Sequence, residues 1–82
     1  MVKEEAKKLM KLRQAAQAAG VSVQTVEYYV MLGLVSPIIE PGARKTRRFF
    51  NDSLVKRIRL IRELNDSGYT LREIRQTWLR TR

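Results

Sequence analysis

Apolar positions recur at helical spacing from Leu12 onward. Leu12, Ala15, Ala16 and Ala19 share one face, and Gly20 follows where a left-handed residue would close the helix. Beyond Val21, the Ser22 hydroxyl is suited to cap the free amides of a second helix over about Val23 to Leu32, which Gly33 ends. Two short helices joined by a tight, glycine-bearing turn form a helix-turn-helix pattern. The periodicity then changes. Ser36-Pro37 and Pro41-Gly42 interrupt any helix, while Ile38-Ile39 and Phe49-Phe50 favour extended strands, so this segment predicts a hairpin. Asn51 is placed to cap a third and longest helix reaching about Ser67, with Leu54, Ile58, Ile61 and Leu64 on one face and Gly68 past its end. Thr70-Leu71-Arg72-Glu73 has capping-box spacing, and Leu71, Ile74 and Trp78 give a short fourth helix an apolar stripe. Trp78 and Leu79 are expected to seal the core, the alternative for Trp78 being the start of a partner-binding face.

The predicted architecture is mostly α with a small β-hairpin wing: a winged helix-turn-helix of about four helices, forming one domain over residues 10–82. Residues 1–9 are charged and nearly devoid of apolar anchors, and are expected to form a flexible leader in which Glu4 and Lys8 are spaced for an i,i+4 pair.

Composition narrows the chemistry. A chain of 82 residues supports one core and buries only about three-fifths of the surface its unfolded form exposes. It has neither cysteine nor histidine, which excludes disulfides, thiolate zinc sites and imidazole proton shuttles. The 8 acidic residues are scattered without a paired arrangement, so no enzyme, cofactor or metal site is expected. No stretch approaches the roughly 18 apolar residues needed to span a bilayer, and Met1-Val2-Lys3-Glu4-Glu5 does not read as a signal peptide, which makes a cytoplasmic protein the expectation. Lysine and arginine number 17, for a formal charge of +9, and a polyanionic partner follows, nucleic acid ahead of an acidic membrane surface or an acidic protein. Residues 36–82 hold 12 basic and 5 acidic side chains, against 5 and 3 in residues 1–35, so the C-terminal half is expected to carry most of the phosphate contact.

Gly20-Val21-Ser22-Val23-Gln24-Thr25-Val26-Glu27-Tyr28-Tyr29, followed by Leu32-Gly33-Leu34-Val35-Ser36-Pro37, closely resembles the MerR family of regulators. Arg47-Arg48-Phe49-Phe50 resembles the end of that family's wing, and Leu64 through Ile74, centred on Ser67-Gly68-Tyr69-Thr70-Leu71, resembles its third and fourth helices. The likeness spans about residues 10–79 in the family's order. It implies sequence-specific binding of double-stranded DNA for transcription regulation. The second helix would enter the major groove, the wing would grip the backbone beside it, and RNA polymerase would be a further partner at the promoter. Glu27 stands where the family usually has arginine, Val30 where it has an acidic residue, and Phe49 and Phe50 compete for its tyrosine position. The family continues into a long dimerising helix, whereas this sequence ends at Arg82. A monomer in free solution, with two or more copies on DNA, is the expectation. Two other readings stay open: an excisionase-like architectural protein that bends DNA, and a basic module that docks an acidic protein.

Val26, Tyr29, Val30 and Gly33 share the face of the second helix expected to pack inward, with Gln24, Thr25 and Tyr28 on the opposite side. Glutamine suits bidentate pairing to adenine, the threonine methyl can touch thymine, and a tyrosine hydroxyl can reach phosphate. Ser22 and Val23, at the start of the helix, join this contact set. Glu27 can accept from a cytosine amino group, but repulsion of phosphate in wrong registers or pairing with a nearby arginine is preferred. In the wing, Arg44, Lys45, Arg47 and Arg48 suit phosphate or a narrow minor groove, the bland alternative being a charged edge that guards against aggregation. Phe49 and Phe50 are expected in core and hinge packing. Of the third-helix arginines Arg57, Arg59 and Arg62, taken as its wet side, Arg57 is the one near enough to the capped end to meet a phosphate.

Overall fold

Three alanines let one helix approach two others. In α1, Leu12–Ala19, the side chains of Ala15, Ala16 and Ala19 are buried, and the helix packs on both α2, Val23–Met31, and α3, Asp52–Asp66. Larger side chains at those positions would hold the three axes apart. The computed structural model describes residues 9–40 and 47–78. Residues 1–8 of the expected leader, the Pro41-Gly42 break with Arg44 and Lys45, and Leu79 lie outside the described residues.

Each helix of the helix-turn-helix ends as its glycine predicts. Gly20 has φ 76°, donates to Gln17 O at 3.2 Å, and lets Val21 N reach Ala16 O at 3.0 Å. Gly33 repeats the geometry at φ 81°, with Gly33 N on Val30 O and Leu34 N on Tyr29 O at 3.0 and 2.9 Å. A side chain at either position would be strained in this left-handed conformation. Gly33, expected on the inward face of α2, is exposed, because the reversal it makes carries the chain off the helix surface. At the other end of α2 the Ser22 hydroxyl accepts from Thr25 N at 3.1 Å.

The wing is an antiparallel pair, β1 Ile38–Glu40 and β2 Arg47–Phe49, in the register Ile38 to Phe49, Ile39 to Arg48 and Glu40 to Arg47. One residue further, Phe50 exchanges backbone hydrogen bonds with Met10, at 2.7 and 2.8 Å, so the segment leading into α1 ties down the base of the wing. The Phe50 side chain is fully buried, while Phe49 is only half-buried. Around Phe50 lie Val26, Leu34, Val35, Val55, Ile58, Ile61 and Ile74, which form one core.

The Asn51 side chain accepts from Leu54 N at 2.9 Å and starts α3 as predicted. Its deepest residues are Val55, Ile58 and Ile61, with Leu54 and Leu64 at the rim, a small rotation from the expected stripe. Thr70 and Glu73 form a reciprocal capping box at 3.1 and 2.9 Å, opening α4, Leu71–Glu73. The chain then widens into a π-helical turn, Ile74–Trp78. This winding breaks the α-helical spacing on which the predicted stripe depended. Ile74 stays in the core, but Trp78 is 45% exposed and, contrary to expectation, seals nothing. It meets Tyr69 edge to face instead, with ring centroids 5.9 Å apart.

Three arginines close the fold from outside, each donating to a carbonyl beyond its own element. Arg59 reaches Ala18 O near the end of α1 at 2.8 Å, Arg75 reaches Leu32 O past α2 at 3.3 Å, and Arg57 reaches Leu34 O at 2.7 Å. Arg59 was expected to be merely solvated. Helix ends leave carbonyls without intrahelical donors, and these guanidinium groups supply them.

Three stability outcomes are expected in urea denaturation. Phe50→Ala should cost about 3–5 kcal/mol, with Phe49→Ala costing clearly less, since only the first empties the core. Arg57→Ala should cost about 1.5–3 kcal/mol through its part-buried charged hydrogen bond. Lys56→Ala, which removes the exposed Lys56–Asp52 pair at 3.4 Å, should cost about 0.5 kcal/mol or less.

Candidate nucleic-acid interface

Burying Val26 and Tyr29 decides what α2 shows to the outside. With those two side chains in the core, Gln24, Glu27, Tyr28 and Met31 are left exposed, Met31 at 72% and Tyr28 at 48%. Burial raises the Tyr29 phenol above its ordinary pKa, an effect that Arg62 opposes and Asp66 reinforces, in keeping with a neutral core residue. Ser22 and Val23 are exposed at the start of the helix. Thr25 is half-buried, its hydroxyl 2.9 Å from that of Ser22, so of the three expected groove-facing residues it is the most committed to the fold.

The wing returns to this same face. Arg48 of β2 places Nη2 3.5 Å from Glu27 Oε2, with side-chain exposures of 38% and 50%. Pairing with an arginine was one of the two roles preferred for Glu27. Such a solvated pair contributes only about 0.2–1 kcal/mol, and it orients more than it stabilises. Gln24, Glu27, Tyr28, Val30, Met31 and Arg48 line one shallow open hollow. Helix and wing therefore present a single mixed surface, with an amide, a carboxylate, a phenol, a guanidinium and a thioether within reach of one another.

The other predicted residues divide. Arg47 lies in β2 opposite Glu40, beside Arg48 in sequence. Arg44 and Lys45 fall outside the described residues. Arg57 is not gathered to the hollow. Its Nε is engaged by Leu34 O, which leaves the terminal nitrogens for any phosphate. Sequence reasoning missed Met31, whose spacing from Gln24, Glu27 and Tyr28 puts it on the outward face but whose apolar side chain carries no signal for DNA contact. It also missed the link between Arg48 and Glu27, which lie 21 residues apart and which no local signal connects.

Among the described residues no group of three or more acidic residues is placed to hold a metal ion, and no helix is long and apolar enough to cross a membrane.

Comparison with known proteins agrees with this geometry. Residues 10–79 match the MerR HTH family regulatory proteins. The chain is 30% identical over 67 residues to the HTH-type transcriptional regulator HmrR of Sinorhizobium medicae (strain WSM419), covering 82% of this chain and 44% of that protein. It is 28% identical over 67 residues to the heavy metal-dependent transcription regulator 2 of Rhizobium meliloti (strain 1021), with the same coverage. The chain thus spans less than half the length of these relatives. Among solved structures it is similar to HiNmlR, a MerR family regulator lacking the sensor domain, in a crystal structure bound to promoter DNA. The TM-score is 0.71 at 25% identity, covering 84% of this chain and 51% of that one. With the family pattern covering residues 10–79 of its 82, this protein belongs to the MerR HTH family.

Proposed function

We propose that this chain is the DNA-binding part of a transcription regulator, with residues 10–82 as the binding domain. α2 lies in the major groove of promoter DNA and the basic wing lies along the adjoining phosphates. The observation that carries this reading is the convergence of α2 and β2 on one exposed face, where Arg48 stands 3.5 Å from Glu27. An α-helix fits the major groove, and a flanking hairpin rich in arginine suits the backbone beside it. The structural relative is itself bound to promoter DNA. Ser22, Val23, Gln24, Thr25, Glu27 and Tyr28 supply the helix contacts in this reading, and Arg44, Lys45, Arg47 and Arg48 those of the wing. Arg57 contributes at most its terminal nitrogens.

The role is binding, not catalysis. Acting on promoters places the protein in the bacterial cytoplasm, with RNA polymerase as neighbour. One copy offers one helix and one wing, so tight binding calls for two or more copies on adjoining half-sites. No relative described above favours an excisionase-like or protein-docking role.

The test is binding to duplex DNA as a function of salt, combined with recovery of bound promoter fragments. The reading expects a steep log-log slope, and salt-independent binding would overturn it. Arg47→Ala should weaken specific and nonspecific binding alike and lower that slope by about 1. Gln24→Ala should instead relax preference at one base pair by about 1–3 kcal/mol with the slope nearly unchanged, as competition titrations with single-base variants would show.

A further inference from the structure

Glu27 is the one acidic side chain in the exposed hollow between α2 and the wing, and its position there calls for a reason. It sits one helical turn past Gln24 and one before Met31, on the face that the core leaves outward. A carboxylate brought against DNA is repelled by every phosphate and can donate to nothing. Apart from orienting Arg48, it contributes to a complex directly where a base edge offers it a hydrogen-bond donor. In the major groove those donors are the amino groups of cytosine and adenine. Adenine carries its N7 acceptor beside the amino group, and guanine shows two acceptors, both repulsive to a carboxylate. Cytosine is the base edge that Glu27 fits.

Arg48 makes this contact feasible. Its Nη2 meets Oε2 alone, so the second carboxylate oxygen, Oε1, is not engaged by the pair. The guanidinium offsets the negative charge in the polyanion's field, and from the wing it limits the rotamers that a long glutamate would otherwise sample. We propose that Glu27 reads a cytosine amino group in the major groove, with Arg48 as the positioning residue that holds and neutralises its carboxylate. This rests on the DNA-binding reading above. It also gives Arg48 a part in specificity that the neighbouring Arg47 lacks.

The experiment is selection of bound duplexes from a randomised pool by the wild-type chain. Titrations follow with single-base variants of the selected site, using Glu27→Ala, Glu27→Gln, Arg48→Ala, the Glu27→Ala/Arg48→Ala double variant and Arg47→Ala. Circular dichroism confirms that each is folded. The wild type should prefer a C·G pair at one position by roughly tenfold or more. Glu27→Ala should flatten preference at that position alone while binding nonspecific DNA more tightly, one negative charge having gone. Glu27→Gln, which gains an amide donor, should shift the preference there toward A·T. Arg48→Ala should lose the same preference, and the double variant should lose no more than either single one, whereas Arg47→Ala should keep it. Glu27→Ala retaining the full preference overturns the inference, and so does additive loss in the double variant. Either result would leave the DNA-binding reading standing if the salt slope of the wild type is steep. A wild type that selects no duplex at all would instead overturn that reading.

Discussion

The C-terminal end of a short helix leaves carbonyls that no residue of the helix can satisfy, and this protein meets that constraint with arginines from distant segments. α1 and α2 each close two carbonyls by glycine reversals. A further carbonyl in the last turn of α1 is met by Arg59 on Ala18, and the chain after α2 is secured by Arg75 on Leu32 and Arg57 on Leu34. These bonds tie α3 and the turn after α4 to the helix-turn-helix, and the part-buried bond of Arg57 is the one whose loss would leave a costly unpaired group. They reinforce an orientation of α2 that burial of Val26 and Tyr29 in the core sets. These guanidinium groups keep their charge and still contribute to the field of a chain of formal charge +9, but they are less free to reach out to a phosphate.

The second constraint is geometric. Phe50 is fully buried and its backbone is paired with Met10, while Arg48, two residues earlier on the same extended strand, faces α2. A single anchored residue thereby aims the wing: sinking the Phe50 ring into the core fixes the strand's direction, and the pleat carries Arg48 toward Glu27. Exposed pairs of this kind add little to stability. Their value lies in placement, since a charge held by the scaffold can meet a ligand without first losing its own conformational freedom.

Burial and display on α2 are two consequences of one pattern. Val26 and Tyr29 enter the core at helical spacing, and the residues between them are forced outward. The hollow they form with the wing is shallow and open, suited to the edge of a large polymer more than to a small enclosed molecule. Met31 and Val30 add apolar surface beside the polar groups, a mixture suited to the methyl and amino groups that line a major groove.

Local signals made most of the secondary structure legible. Gly20 and Gly33 marked the helix-turn-helix, Ser22, Asn51 and the Thr70–Glu73 box marked the helix starts, and proline and glycine marked the hairpin. All of these act within four or five residues through backbone geometry, which is why sequence alone sufficed. It also placed Gln24, Thr25 and Tyr28 on the outward side of α2, since helical period separates them from Val26 and Tyr29; Gln24 and Tyr28 are exposed, whereas Thr25 is half-buried. What it left open was long-range: which of Phe49 and Phe50 enters the core, which arginines are occupied by carbonyls, and which partner Glu27 takes. The widening of the last helix, which moves Trp78 off its predicted stripe and against Tyr69, was likewise invisible, because periodicity presumes an unbroken α-helical turn. The side-chain links depend on groups brought together from 21 to 43 residues apart, as with Glu27 and Arg48 or Leu32 and Arg75. Only the packing of the whole core determines such distances.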